Sequence, residues 1–188
     1  MSKKYSAFTL VEMLIVMGIL IILMAVGITA GRFAINRAND VAHQNAADQI
    51  YTAMQAYYTD NREFPDTTAT VPFSLETATG NGGSLADYMG EGEFTGGTDA
   101  TFYYWHDTLR QSVLICVTLG GHGDETGRGV YCTGNGFGAD DAPGSAITTK
   151  DVTNAEFAAQ YTNFSDSADW TGNTSTWGAA TDFVTVTP

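Results

Sequence analysis

Glu12 stands near the start of FTLVEMLIVMGILIILMAVGITA (8–30), a run with almost no other polar side chain. A lone carboxylate in hydrocarbon costs a few kcal/mol at least, so it needs a partner or a route to water. The other residue types suited to chemistry lie far downstream. Cys116 and Cys132 admit three readings: a disulfide, a metal site completed by His106 and His122, or free thiols. Their spacing fits no standard zinc pattern, because closely paired cysteines are lacking. A Cys–His pair for nucleophilic catalysis has no local sign of activation. The acidic stretches GDET (123–126) and GADDAPG (138–144) offer oxygen ligands for Ca²⁺. Neither follows the D-x-[DN]-x-[DN]-G loop, so solvated turns are expected there. No catalytic residue, metal or cofactor is expected.

Composition bounds what these residues can serve. The chain has 188 residues, 44% hydrophobic and 15% charged, with 21 glycines and a formal net charge of −13. Clustered Lys and Arg are what phosphate binding requires, so bare nucleic acid is not an expected partner. The glycines do not sit between a strand and a helix at the spacing of a nucleotide-binding loop. Any step that consumes ATP must therefore fall to a partner.

Four pieces follow from the texture of the chain. Residues 1–7 (MSKKYSA) are short, basic and polar. The 23 residues from Phe8 to Ala30 would span roughly 35 Å as a helix, enough to cross a bilayer core. Residues 31–61 continue without a break and without proline; Ala47, Ile50, Met54 and Tyr57 follow helical spacing, as do Tyr51 and Tyr58. One continuous helix is expected from about Phe8 to about Asp60, ending at DNREFP, with Asn61 as C-cap and Pro65 unable to continue it. Residues 62–188 form a globular, β-rich head: TFYYW (101–105), SVLICVTL (112–119) and GVYC (129–132) read as strands, DFVTVT (182–187) as a final one. Glycine-rich loops separate them. The expected class is α+β, a long helix packed on an antiparallel sheet.

A basic start before an apolar run also suits a cleaved signal peptide or a plain signal anchor with Lys3 and Lys4 in the cytoplasm. No small-x-small cleavage site follows the run, and neither account gives Glu12 a purpose.

KKYSAFTLVEMLIVMGILIIL (3–23) closely resembles the leader and N-terminal segment of type IV pilins and the pseudopilins of type II secretion. That resemblance implies cleavage between Ala7 and Phe8 by a prepilin peptidase on the cytoplasmic face, then methylation of the new Phe8 amine by the same enzyme. Two departures are visible: Ala7 stands where glycine is usual before the cut, and near Thr29, where many pilins have a helix-breaking proline, Gly27 and Gly31 stand instead. The resemblance further implies a subunit held in the inner membrane and polymerised into an extracellular helical filament of identical copies. An assembly ATPase and its platform supply the energy of extraction. The Phe8 amine and Glu12 are about one helical turn apart, so an assembly salt bridge between Glu12 and Phe8 is expected, within a subunit or between neighbours. The alternatives of the same lineage are a pseudopilin and a DNA-uptake component.

Export bears on the cysteines. In an oxidising compartment, Cys116 and Cys132, at the ends of two predicted strands, are expected to form a disulfide. A loop of that size contributes roughly 3 kcal/mol in the chain-entropy model. The sequons NFS (163–165) and NTS (173–175) are of a kind common in a Thr/Asn-rich tail and carry no assignment.

Overall fold

The computed structural model describes residues 9–66, 85–89, 98–121, 127–138, 147–159, 170–178 and 181–185. Its longest element is helix α1, Leu10–Asn61, followed by a short turn of helix, α2, Ala86–Met89. Six strands come after: β1 Ala100–Asp107, β2 Val113–Thr118, β3 Val130–Gly134, β4 Asp151–Val152, β5 Trp170–Gly178 and β6 Thr181–Thr185. The expected α+β class, a long helix followed by an antiparallel sheet, is what forms. The chain divides into two compact units, Met1–Ala38 and Asn39–Pro188.

In the first unit, the described residues are α1 alone. Leu, Ile, Val and Met side chains line it on every side, and from Leu10 to Ile35 they lie open. Up to Ala30 the helix is apolar nearly all round rather than amphipathic, the pattern of a membrane span or a helix packed among others. It is long and apolar enough to cross a bilayer by length and composition.

In the second unit the same helix becomes one-sided. Asp40, His43, Ala46, Ala47, Ile50, Ala53 and Met54 are buried, a stripe recurring every three or four residues as a core-facing helix requires. Three alanines in that stripe bring the backbone close to the sheet. Tyr51, Tyr57 and Tyr58 flank it and pack against the same core.

The helix stops through backbone geometry more than through Asn61. Arg62 takes the left-handed conformation at φ 63°, and its N–H donates to the Tyr58 carbonyl at 2.8 Å. That is the single-bond left-handed cap, with the left-handed residue one place beyond Asn61. Asn61 stays helical, and its side-chain amide donates to the Tyr57 carbonyl at 3.0 Å.

The sheet order is β4-β3-β2-β1-β5-β6, and every pairing is antiparallel. Phe102, Tyr104, Val113, Ile115, Val117 and Tyr131 lie in the core shared with α1. Trp105, Leu114, Cys116, Val130 and Cys132 form a second core with Ile147, Val152 and Phe157. The alternation along each strand assigns these two clusters to opposite faces of the sheet. Both faces being covered explains why β2 reads as a continuous apolar run rather than an alternating one.

The turn from β1 to β2 is fastened to the end of α1. Asp107 Oδ1 accepts the N–H groups of Gln111 at 2.7 Å and Ser112 at 2.8 Å. The Arg110 carbonyl accepts the Phe64 N–H at 2.8 Å, and its guanidinium pairs with Glu63 and reaches Asp66 at 3.8 Å. The buried Tyr104 hydroxyl donates to the Pro65 carbonyl at 2.7 Å, while burial pushes its acidity well below that of a free phenol.

Cys116 and Cys132 face each other across β2 and β3 and are joined, with their Cα atoms 4.0 Å apart. The Cys132 N–H donates to the Lys150 carbonyl at 2.7 Å. It points away from β2, so the disulfide spans a close, non-hydrogen-bonded pair. The two cysteines sit inside their strands rather than at the ends, because β3 runs on to Gly134. Replacing both by alanine should cost about 3 kcal/mol and lower Tm by about 6–12 °C. Thermal melts of the full chain in detergent check this; an unchanged Tm would mean that the bridge constrains nothing.

Candidate functional site

Helix α1 begins at Leu10 because Thr9 and Glu12 close its open end. The Thr9 N–H donates to Glu12 Oε2 at 2.8 Å, and the Thr9 hydroxyl donates to the same oxygen at 2.8 Å. In return the Glu12 N–H reaches Thr9 Oγ1 at 3.3 Å, and the first helical bond runs from Met13 N–H to the Thr9 carbonyl at 3.3 Å. This is a capping box: the N-cap Thr satisfies the N–H of the third helical residue, whose Glu satisfies the N–H of the cap. The carboxylate also lies where the helix dipole favours negative charge.

The motif T-x-x-E recurs in the head. Thr153 and Glu156 repeat it, with the Thr153 N–H on Glu156 Oε2 at 3.1 Å and the hydroxyl at 2.7 Å. These bonds hold the Glu156 carboxyl below the usual carboxylate range. Capping is therefore ordinary helix chemistry in this chain; what sets Glu12 apart is its place at the head of an apolar helix.

From Leu10 to Ala30 the only other side chain with a hydrogen-bonding group is Thr29, whose hydroxyl donates to the Val26 carbonyl at 2.9 Å. Both polar side chains of the segment are thus bonded within their own helix, the condition hydrocarbon imposes on any polar group it surrounds. Only Oε2 of Glu12 is engaged; Oε1 makes no bond among the described residues.

A family model described as the prokaryotic N-terminal methylation motif matches residues 2–28. The chain carries the signature of type IV pilins and pseudopilins. The motif implies processing by a prepilin peptidase and handling by membrane assembly machinery. It points to a structural protein rather than an enzyme, and the apolar helix is compatible with membrane anchoring before assembly. It covers the basic start and most of the apolar run and none of residues 29–188. No curated protein and no solved structure matches the chain.

The remaining expected residues fall as follows. Ala7 and Phe8, the expected cleavage and methylation positions, lie outside the described residues, as do His122 and the acidic stretches Asp124–Thr126 and 139–144. Cys116 and Cys132 are joined to each other, which leaves no thiolate for a metal site with His106. That histidine is buried; its Nδ1 lies 2.7 Å from the Asp107 carbonyl and its Nε2 3.6 Å from Asp66. Among the described residues no group of three or more His, Cys, Asp and Glu side chains converges as a metal site would need.

Neither a partner cation nor a route to water, the two expectations for Glu12, includes its local partner Thr9. The signal was present as Thr9 three residues upstream. A Thr9→Val variant keeps the shape and loses the hydroxyl, at a cost of about 1 kcal/mol. Amide exchange at Glu12 in detergent should then quicken about fivefold, while Thr9→Ser restores the wild-type rate. Equal rates in all three forms would remove Thr9 from the cap.

Proposed function

We propose that this chain is the structural subunit of a type IV pilus. Residues 1–7 are a leader removed before Phe8, 8–30 the membrane and filament-core helix, 31–61 its amphipathic continuation, and 62–188 the globular head. The observation that carries the reading is the carboxylate of Glu12 at the start of an open, all-apolar helix, inside the matched methylation motif.

Cleavage turns the Phe8 amide nitrogen into a cation, and methylation to a secondary amine preserves its charge. The capping box survives the cut, because the Thr9 N–H and hydroxyl belong to the mature chain. Thr9 holds one carboxylate oxygen in place and leaves Oε1 for the amine of the same subunit or of a neighbour. Between neighbours the pair acts as a register pin, since an incoming subunit neutralises the charge at one axial offset. In the membrane the helix stores the subunit; in the filament other apolar helices replace lipid around it, and the acidic heads face water. Extraction draws on an ATPase of the assembly machinery. The head, with its disulfide and loops, forms the outer surface of an extracellular filament.

Glu12→Gln keeps an oxygen for Thr9 and removes the charge. The variant should accumulate in the membrane and be cleaved as the wild type is, while the sheared filament fraction falls more than tenfold. Wild-type filament yield from the variant would contradict the pin. Absence of surface filaments in the wild type, with loss of secreted proteins on deletion, would move the chain to the pseudopilins.

A further inference from the structure

Asp40, His43 and Arg128 form a polar cluster where α1 enters the head, with Arg128 half-buried at its edge. His43 is fully buried, and Asp40 is nearly so. Nε2 of His43 lies 3.1 Å from the Thr98 carbonyl, just before β1. The Thr98 hydroxyl lies 3.1 Å from the same nitrogen; with Nε2 donating to the carbonyl, the neutral ring keeps Nδ1 as a bare acceptor. That Nδ1 meets no hydrogen-bond partner among the described residues.

Arg128 comes from the residues leading into β3, and its Nη1 lies 3.0 Å from Asp40 Oδ1. The angles of that contact fall outside hydrogen-bond geometry, so charge holds the pair. The backbone aims Arg128 there: Gly127 and Gly129 on either side have φ of 67° and 91°. A Cβ on Gly129 would stand 2.7 Å from the Val152 carbonyl, so no other residue fits. The Gly129 carbonyl accepts the Leu119 N–H at 3.0 Å, fixing the stretch to the end of β2.

Among the described residues this cluster balances at neutral pH, one carboxylate against one guanidinium around an uncharged ring. The charged groups facing His43 among the described residues are Asp40 from its own helix and Arg128 from the entry to β3. Its contacts from the β1 and β2 sides, Thr98 and Thr118, are uncharged. A proton on Nδ1 adds a second cation where there is a single carboxylate. We propose that Asp40, His43 and Arg128 are an acid-released clasp: a neutral His43 lets α1, the entry to β1 and the entry to β3 close together, and protonation of the buried ring loosens that junction.

Burial, and secondarily Arg128, pull the ring's affinity for a proton below that of a free histidine, against the opposing pull of the Thr98 backbone, Asp40 and the Thr118 backbone. The unfolded chain therefore takes the proton first as pH falls. The stability contributed is fully present above about pH 6.5 and declines as pH drops below it.

The test uses the full chain in detergent, melted at pH 7.5 and 5.5 as wild type, His43→Gln and Arg128→Gln. Over that interval the wild-type unfolding equilibrium should shift about tenfold further toward the unfolded state than in His43→Gln, or by about 3–5 °C in Tm. Arg128→Gln frees Asp40 for the imidazolium, so its acid loss should be smaller than the wild type's. Equal acid loss in wild type and His43→Gln would overturn the clasp, and so would an undiminished loss in Arg128→Gln. Should either variant fail to fold, NMR titration of the wild-type His43 ring decides: a midpoint below about 6.5 supports the proposal, one at or above it refutes it.

Discussion

The bond between the Thr9 amide and the Glu12 carboxylate reconciles an acidic side chain with an otherwise apolar helix. Without it, on the proposed reading, hydrocarbon would face a carboxylate without a hydrogen bond and an uncapped helix end, each costly on its own. With it, one side chain closes the helix and keeps a second oxygen for another charge. On the proposed reading, that remaining oxygen is where a processed Phe8 amine belongs. The same two residues then serve the subunit in the membrane and the filament that forms from it.

The head answers a different demand. The helix that is apolar on nearly all sides through Ala30 carries a single buried stripe from Asp40 to Met54. That stripe packs on one face of the sheet, and the disulfide belongs to the core on the other. Polar contacts tie the far end of α1 to the β1–β2 turn through Arg110 and Gln111. Near its other end within the head, the Asp40–Arg128 ion pair and the His43 contact with Thr98 hold it toward the entries to β3 and β1. A helix fixed at both ends of its packed segment leaves the head little freedom to slide along it.

Much of this was legible in the residues. The apolar run, the spacing of Ala47, Ile50 and Met54, and the β-branched stretches fixed the helix and β1 to β3, because each signal is local and strong. Strand β5 was not legible: Gly172, Asn173 and Gly178 break up its threonines, and it has no Val or Ile. It forms by pairing along the whole of β1, from Ala100 with Trp177 to Asp107 with Trp170, and long-range pairing leaves no mark in a short window. The end of α1 was placed within a residue, but the left-handed position fell to Arg62, whose type gives no hint of it. Within the candidate site, Glu12 stood out by its hydrocarbon neighbours, whereas Thr9 looked like one more residue of the run. Asp40, His43 and Arg128 were invisible as a group, since only the fold brings residues so far apart in sequence together.

The intact mass and N-terminal sequence of protein sheared from the cell surface test the central claim most directly. The account predicts a chain that begins at a methylated Phe8 with Glu12 intact behind it, recovered in the filament fraction. A chain beginning at Met1 or Ser2 and confined to the membrane would contradict it, leaving Thr9 and Glu12 as the cap of a plain membrane anchor.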